Sequence, residues 1–396
     1  MAVTGDAFDL TTTFANAFKR VFKDDKDQDL YHFDNPLLKR VRVTEGFVGT
    51  DEERVRATSF MGGYGFGSIP RNNESNLIRP RLTAKKFYAT ALVDVESMAA
   101  SLKSEGAFFE LVNRVKLEIN RAMSNGFSLA LTKANIDNEL VLGIVQSVGS
   151  GGDPYTLLIS QFHAQNFHIK QIVTIQDANT DPFEVTDIDA DNLKITVDRL
   201  SGSQVPAATD EIMLQGADGN SMSGLPGATA ASGTLYNVAI GAANNWLAKR
   251  DTAGGAITEH RLWNMLLDVA NQSGKVPNLI VCGLAQYKKI AEVLANKRVL
   301  NDLSDDMGHG ELGLMGPEGM IPVIWDRHVE DDRVYVLNMD HVELRKRPLS
   351  GIVESGGDIL LPMYQQGNDQ YMIVYRCYGD FYIEPTYQGI FDGLDT

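Results

Sequence analysis

The sequence predicts an α+β chain, and three stretches predict it. They are a long amphipathic helix over 104–132, a run of short strands over 151–224, and helices mixed with strands over 225–330. Helical spacing places Phe108, Leu111, Val112, Val115, Ile119, Ala122 and Met123 on one face. Glu110, Arg114 and Glu118 run along another face at steps of four, so each charge meets its opposite. Ser104 is a suitable N-cap. At 1.5 Å per residue such a helix spans roughly 40 Å, the length of a structural backbone. Gly126 is where it would end early.

The strand-rich stretch opens at the Gly151-Gly-Asp-Pro154 break. Ile172–Ile175, Phe183–Thr186, Leu193–Val197 and Glu211–Leu214 are short β-rich runs separated by Asn, Asp, Gly and Ser, as in a small sandwich or barrel. Gly216 to Gly227 closes this insertion. Beyond it, Thr258 caps a helix reaching about Gln272, where Gly274 and Pro277 stop it. A buried strand, Leu279–Cys282, a second helix over 285–296 and a strand at Ile321–Trp325 follow. Residues 333–385 are mainly strands.

Two stretches near the start have little core of their own. Over 1–45, a short apolar helical stripe gives way to the solvated run Asp24 to Asp29, then to LYHFDNPLLKRV, in which Pro36 stops any helix. Over 46–96, Val55–Met61 enters and Lys86–Val95 leaves a long tip broken by Gly62, Gly63, Gly65, Gly67, Pro70 and Pro80. An isolated two-stranded ribbon is marginal in water, so both segments are expected to lie on something else, including another copy. Charge supports that expectation. Residues 39–86 carry ten Lys/Arg against five Asp/Glu, on a chain whose formal net charge is -16. A basic ribbon on an acidic body favours contact between identical chains.

Composition excludes several function classes. Of 396 residues, 43% are hydrophobic and 22% charged, which suits a large core and not wholesale disorder. The acidic balance argues against a protein that grips nucleic acid through its overall field, and no sequence-specific nucleic-acid binding is expected. No apolar run reaches the length of a membrane span and the N-terminus lacks signal-peptide order, so no membrane association is expected. Cys282 and Cys377 are too few and too distant for a disulfide scaffold. The triad Asp25, Asp27, Asp29 lacks the turn glycine of a calcium loop. In the triad Asp187, Asp189, Asp191 the flanking residues read as a hairpin. The seven histidines are scattered, no GxSxG elbow is present, and GGYGFG matches a phosphate loop only in glycine count. The residues present no catalytic site, cofactor site or metal site, and the chain is read as structural and not an enzyme.

The order of parts resembles the major capsid protein of tailed bacteriophages, with the Hong Kong 97-type shell fold. The residues that carry the resemblance are LYHFDNPLLKRV at 30–41, the glycine-rich ribbon with its return strand at 59–98, the helix from Ser104, VPNLIVCGLAQYKKIAEVL at 276–294 and IPVIWDRHVEDDRVYVLNMDHVELR at 321–345. The stretch from Ile172 to Pro226 is similar to the small β insertion of some members. The resemblance implies an N-terminal arm at 1–45 and an extended loop at 46–96. It implies a peripheral domain with the spine helix at 97–150, a β-rich insertion at 151–224, an axial domain at 225–324, and strands returning to the peripheral domain at 325–396.

It further implies self-assembly into pentamers and hexamers of an icosahedral shell enclosing double-stranded DNA, with subunits made in the host cytoplasm and located in the virion capsid. A separate scaffolding protein is the expectation, since about 45 residues precede the loop; a portal and a decoration protein are further partners. Intersubunit contacts are expected from Arg54, Arg56, Arg71, Arg79, Arg81, Lys85 and Lys86 on the loop, and from Phe33, Leu37 and Leu38 on the arm. Lys85 and Lys86 read as ordinary surface lysines rather than crosslinking groups. Removing residues 62–80 is expected to block shell closure without unfolding the chain. The alternatives are another virion protein, such as a tail-tube or decoration subunit, and a soluble enzyme with an unrecognised site.

Overall fold

A computed structural model describes residues 35–47, 51–57, 77–94, 105–149, 152–160, 166–175, 181–241, 245–294, 312–347, 351–352, 363–364 and 370–395. In chain order the first strands are β1 (Arg42–Glu45), β2 (Asp51–Glu53), β3 (Arg56–Ala57), β4 (Leu77–Ile78), β5 (Arg81–Thr83) and β6 (Lys85–Asp94). Helix α1 (Glu105–Lys133) leads into β7 (Val141–Val148), β8 (Tyr155–Ser160), β9 (Ile172–Ile175), β10 (Pro182–Asp189), β11 (Lys194–Arg199) and β12 (Glu211–Leu214). The one-turn α2 (Leu225–Ala228), β13 (Thr234–Leu235), β14 (Val238–Ala239) and β15 (Lys249–Asp251) precede α3 (Glu259–Ser273), β16 (Leu279–Cys282) and α4 (Leu284–Val293). The chain continues through β17 (Leu312–Gly316), β18 (Gly319–Trp325), β19 (Val334–Leu337), β20 (Val342–Lys346), β21 (Gly351–Ile352), β22 (Met363–Tyr364), β23 (Gln370–Ile383) and β24 (Gly389–Phe391).

The first sheet is organised by β23. Its early part pairs antiparallel with β6 from Gln370↔Asp94 to Gly379↔Lys85, and its late part with β20 from Gly379↔Lys346 to Ile383↔Val342. β1 then adds parallel to β20. Side chains alternate across a strand, so Tyr375, Cys377, Phe381 and Ile383 share one buried face. Helix α1 lies on that face. Phe127 packs 5.3 Å from the Phe87 ring and 6.5 Å, edge-on, from Phe381. A Cβ at Gly126 would sit 2.1 Å from the Phe87 ring, so only glycine allows this approach. Gly126 therefore joins helix to sheet and does not end the helix, which continues to Lys133.

Strands β7–β12 close a barrel in the order β10-β11-β8-β7-β12-β9. Alternate residues fill it, among them Leu157, Ile159, Phe183, Val185, Ile195 and Val197. The barrel takes in Val141–Val148, ahead of the expected boundary at 151: β7 pairs with both β8 and β12, and without it the barrel would not close. The hairpin expected around Asp187 to Asp191 is formed, and the Asp189 carboxylate accepts from the backbone and side chain of Asn192 in the turn. The earlier aspartate triad, Asp25 to Asp29, lies outside the described residues.

A second sheet, in the order β15-β24-β19-β16-β18-β17, carries α3 and α4 over a core that includes Leu262, Leu266, Ile280, Ile290, Val336 and Phe391. Thr258 caps α3 by accepting from the Arg261 N–H, and Gly274 ends it at a left-handed φ of 75°. A buried ionic chain ties this layer to α1. Lys133 Nζ donates to Glu330 Oε1 at 2.9 Å, Glu330 pairs with Arg333, Arg333 donates to Asp392 at 2.9 Å, and Asp392 also holds Arg250. Both cysteines are buried, on β16 and β23. Among the described residues no helix is long and apolar enough to cross a membrane.

Candidate assembly surface

The two segments expected to lack a core at home are held, where described, by this chain. Leu37, Leu38, Val41, Phe47, Ile78 and Leu82 all belong to the main core. Asn35 donates its side-chain N–H groups to Ser124 O and Oγ on α1, at 3.1 and 2.8 Å. Leu37 and Leu38 are each 1% exposed, so the sequence-based assignment of these two to intersubunit contact is corrected: they pack inside their own subunit. They sit in and just before a 3-10 turn, Leu38–Arg40, whose geometry turns both inward. Phe33 and Arg71 lie outside the described residues.

The ribbon base is a pair of short ladders. β2 pairs with β5 and β3 with β4, both antiparallel. One face docks on the first sheet through charge. Glu343 on β20 accepts from Arg42 at 3.0 Å, Arg54 at 3.2 Å and Arg345 at 3.3 Å. Glu52 on the ribbon accepts from Arg54 at 3.3 Å and from Arg345. The Arg54 guanidinium also lies 4.2 Å over the Tyr382 ring. Arg56 donates to Thr386 Oγ1 at 3.1 Å, pairs with Glu384 at 3.3 Å and lies 5.1 Å from the Tyr387 ring centroid. His341 stacks on the same Tyr387 ring at 3.5 Å and 2°. Burial alone would push the Glu384 carboxyl up, but the hydrogen bond from His341 and the Arg56 charge outweigh it and hold the group below the usual range.

The other ribbon face is open. Val55 and Leu77 are 65% and 50% exposed. Arg81 pairs with Asp51 at 2.7 Å, and Arg79 reaches Glu53 only at 4.0 Å. Such exposed pairs contribute little to stability, and both arginines stay on the solvent side. Lys85 donates to Gly219 O at 2.8 Å, and Lys86 stands 5.9 Å from the Tyr378 ring on the outer face of β6. Of the loop residues singled out in the sequence, then, Arg54 and Arg56 anchor the ribbon to its own subunit, while Arg79, Arg81 and Lys86 face outward. The partners Glu343, Arg345, Tyr382 and Glu384 were not singled out. They lie some three hundred positions along the chain and carry no local signal.

Beside the anchor, Asp380 on β23 is buried and its carboxylate accepts from the Ser223 N–H at 2.6 Å and the Ser223 hydroxyl at 3.2 Å. Tyr236 closes the site by donating to Phe381 O at 2.6 Å. Burial raises the Asp380 acid to about 7, against the opposing effect of the Ser223 hydrogen bonds. A carboxyl raised in the folded state contributes stability that is full at low pH and is lost as pH rises through about 7. Asp380→Asn keeps an acceptor for Ser223 N–H and cannot ionise. Its melting temperature relative to the parent is expected to rise between about pH 5 and about pH 8. A difference independent of pH in that window would contradict the assignment.

An α1-backed sheet, a closed barrel and a second α/β layer, with a charged ribbon clamped at its base, make up the Hong Kong 97-type fold. Residues 214–346 match the family model described as SU10 major capsid protein. The fold is similar to a chain of the cyanophage A-1(L) capsid asymmetric unit, at 10% identity and a TM-score of 0.54, covering 100% of this chain and 96% of that one. A lower likeness is to the capsid of an empty GTA particle, at 11% identity and a TM-score of 0.45, covering 90% and 95%. No curated protein sequence matches the chain.

Proposed function

We propose that the chain forms the pentamers and hexamers of an icosahedral shell around packaged double-stranded DNA, by assembly and without catalysis. In this reading α1 and the first sheet form the peripheral domain, the second sheet with α3 and α4 the axial domain, and the barrel the insertion. The ribbon lies over a neighbouring copy and the arm reaches beneath another. Subunits are made in the host cytoplasm, and a separate scaffolding protein, a portal and a decoration protein are the other partners.

The observation that carries this reading is the two-sided ribbon. One face is clamped by Arg54 and Arg56 to its own sheet, while the other holds Val55 and Leu77 out to solvent on an acidic molecule. A fixed base with an exposed apolar face suits a projecting contact element. Ile78 is buried at home, so a deletion that spares it ends before Leu77. Excising residues 62–76, with a short Gly-Ser join, is expected to leave the far-ultraviolet circular dichroism and the melting temperature nearly unchanged and to abolish closed particles in electron micrographs. Normal particles from this variant would overturn the role given to the ribbon.

A further inference from the structure

We propose that the cavity beside Asp380 is a second seat for the Lys85 ammonium. As Asp380 ionises, Lys85 leaves the Gly219 carbonyl and pairs with the carboxylate, locking the start of β6 to β23 within one subunit.

A polar cavity of about 140 Å3 lies where the ribbon meets the body. Arg81, Thr83 and Lys85 line it from the ribbon, Ser223 and Tyr236 from the body, and Asp380 from β23. A water takes about 30 Å3, so an ammonium group fits. One wall is fixed in place. Tyr236 sits in the turn between β13 and β14 at a left-handed φ of 52°, which an aromatic residue rarely adopts. Its hydroxyl donates to Phe381 O at 2.6 Å and accepts from the Ile383 N–H at 3.1 Å, which holds that turn against β23.

Ser223 gives Asp380 neutral hydrogen bonds, and among the described residues no ion pair reaches it. Burial keeps the acid up at about 7 although the Lys85 charge opposes that shift. An ionised carboxylate in this position is costly until a cation joins it. The cations around it differ in how firmly they are held. Arg81 on β5 is committed to Asp51 at 2.7 Å. Arg345, opposite Asp380 on β20, is held by Glu52 and Glu343. Lys346, the next residue of β20, stands opposite Gly379. Lys85 donates to a neutral acceptor, Gly219 O, at 2.8 Å, and its flexible stem lines the cavity. Moving to the carboxylate replaces a carbonyl dipole by a full charge. The Tyr236 phenol, pushed well above its usual range by burial and the Asp380 charge, stays neutral and does not compete.

Acylation of the dispersed chain with acetic anhydride, read by mass spectrometry, tests this, with the outward-facing Lys86 as internal reference. In the parent, the reaction ratio of Lys85 to Lys86 is expected to fall at least about fivefold from about pH 6 to about pH 8.5, because a seated ammonium is enclosed. In Asp380→Asn the ratio should stay level. A ratio indifferent to pH, or one that falls equally in Asp380→Asn, would overturn the proposal. Urea unfolding gives a second reading that does not depend on reagent access. Lys85→Met is expected to lower stability only above the Asp380 titration and only while Asp380 is present. Its coupling to Asp380→Asn should be at least about tenfold in the unfolding constant at about pH 8.5 and under about twofold at about pH 5.5. Equal coupling at both pH values would overturn the exchange of partners. Coupling of that size to Arg81→Gln or Lys346→Met instead would overturn the assignment to Lys85. Both measurements use the dispersed chain, so their failure leaves the shell reading standing, and a failure to assemble leaves this proposal standing.

Discussion

Phe127→Ala is expected to lower the unfolding free energy by about 3–5 kcal/mol, the range for removing a large aromatic from a closed core. Phe127 is fully buried and stands where α1 meets the first sheet, between Phe87 on β6 and Phe381 on β23. The neighbouring Gly126 leaves no side chain on α1 to fill the space that the ring would vacate, so little collapse can offset the cavity. The two aromatic contacts add about 0.5–1.5 kcal/mol beyond area burial. Urea unfolding of the dispersed chain measures the loss as a lower midpoint at unchanged slope. Phe127→Leu should recover more than half of it by retaining volume. A loss under about 1 kcal/mol would mean that α1 and the sheet are not joined through this ring.

Local chemistry explains which parts of this fold were legible in the sequence. The helix α3 was readable from Thr258 to Gly274 because both ends carry their own stop signals, a hydroxyl acceptor and a left-handed glycine. The strands at 172–175 and 211–214 were readable because turn residues bracket short β-rich runs. Gly126 was misleading because a glycine in a helix has two uses, ending it or admitting a neighbour, and only the Phe87 ring distinguishes them. The barrel's first strand was missed because Val141–Val148 follows the long helix directly and its partners come later in the chain.

The assembly surface was half legible. Ten cations within 39–86 marked the ribbon as basic, which is a property of composition. Which cations face inward depends on strand alternation across a docked ladder, and on acids at 343 and 384 brought near by the sheet. The arm residues Leu37 and Leu38 were assigned outward because an aperiodic apolar stretch does not reveal which molecule buries it.

Lys133→Ala is the second large effect expected, a loss of about 3 kcal/mol. The ammonium sits at the end of α1 with 2% of its side chain exposed, and Glu330 accepts from it at 2.9 Å. Burial pushes the Lys133 ammonium below its usual range and the Glu330 charge opposes that shift, so each group is tolerated largely because of the other. Removing the lysine leaves Glu330 with Arg333 but takes away the cation on its Oε1 side. The asymmetry of such pairs gives the sharper test. Breaking one partner is costly, whereas replacing both by neutral groups of similar volume is often nearly neutral. Lys133→Met combined with Glu330→Gln should therefore be destabilised by less than the sum of the two single changes, with a coupling of about 1–3 kcal/mol in a double-mutant cycle. Strict additivity would show that the pair contributes independently at its two ends, and the ionic chain from α1 to Arg250 would not act as one unit holding the helix to the second sheet.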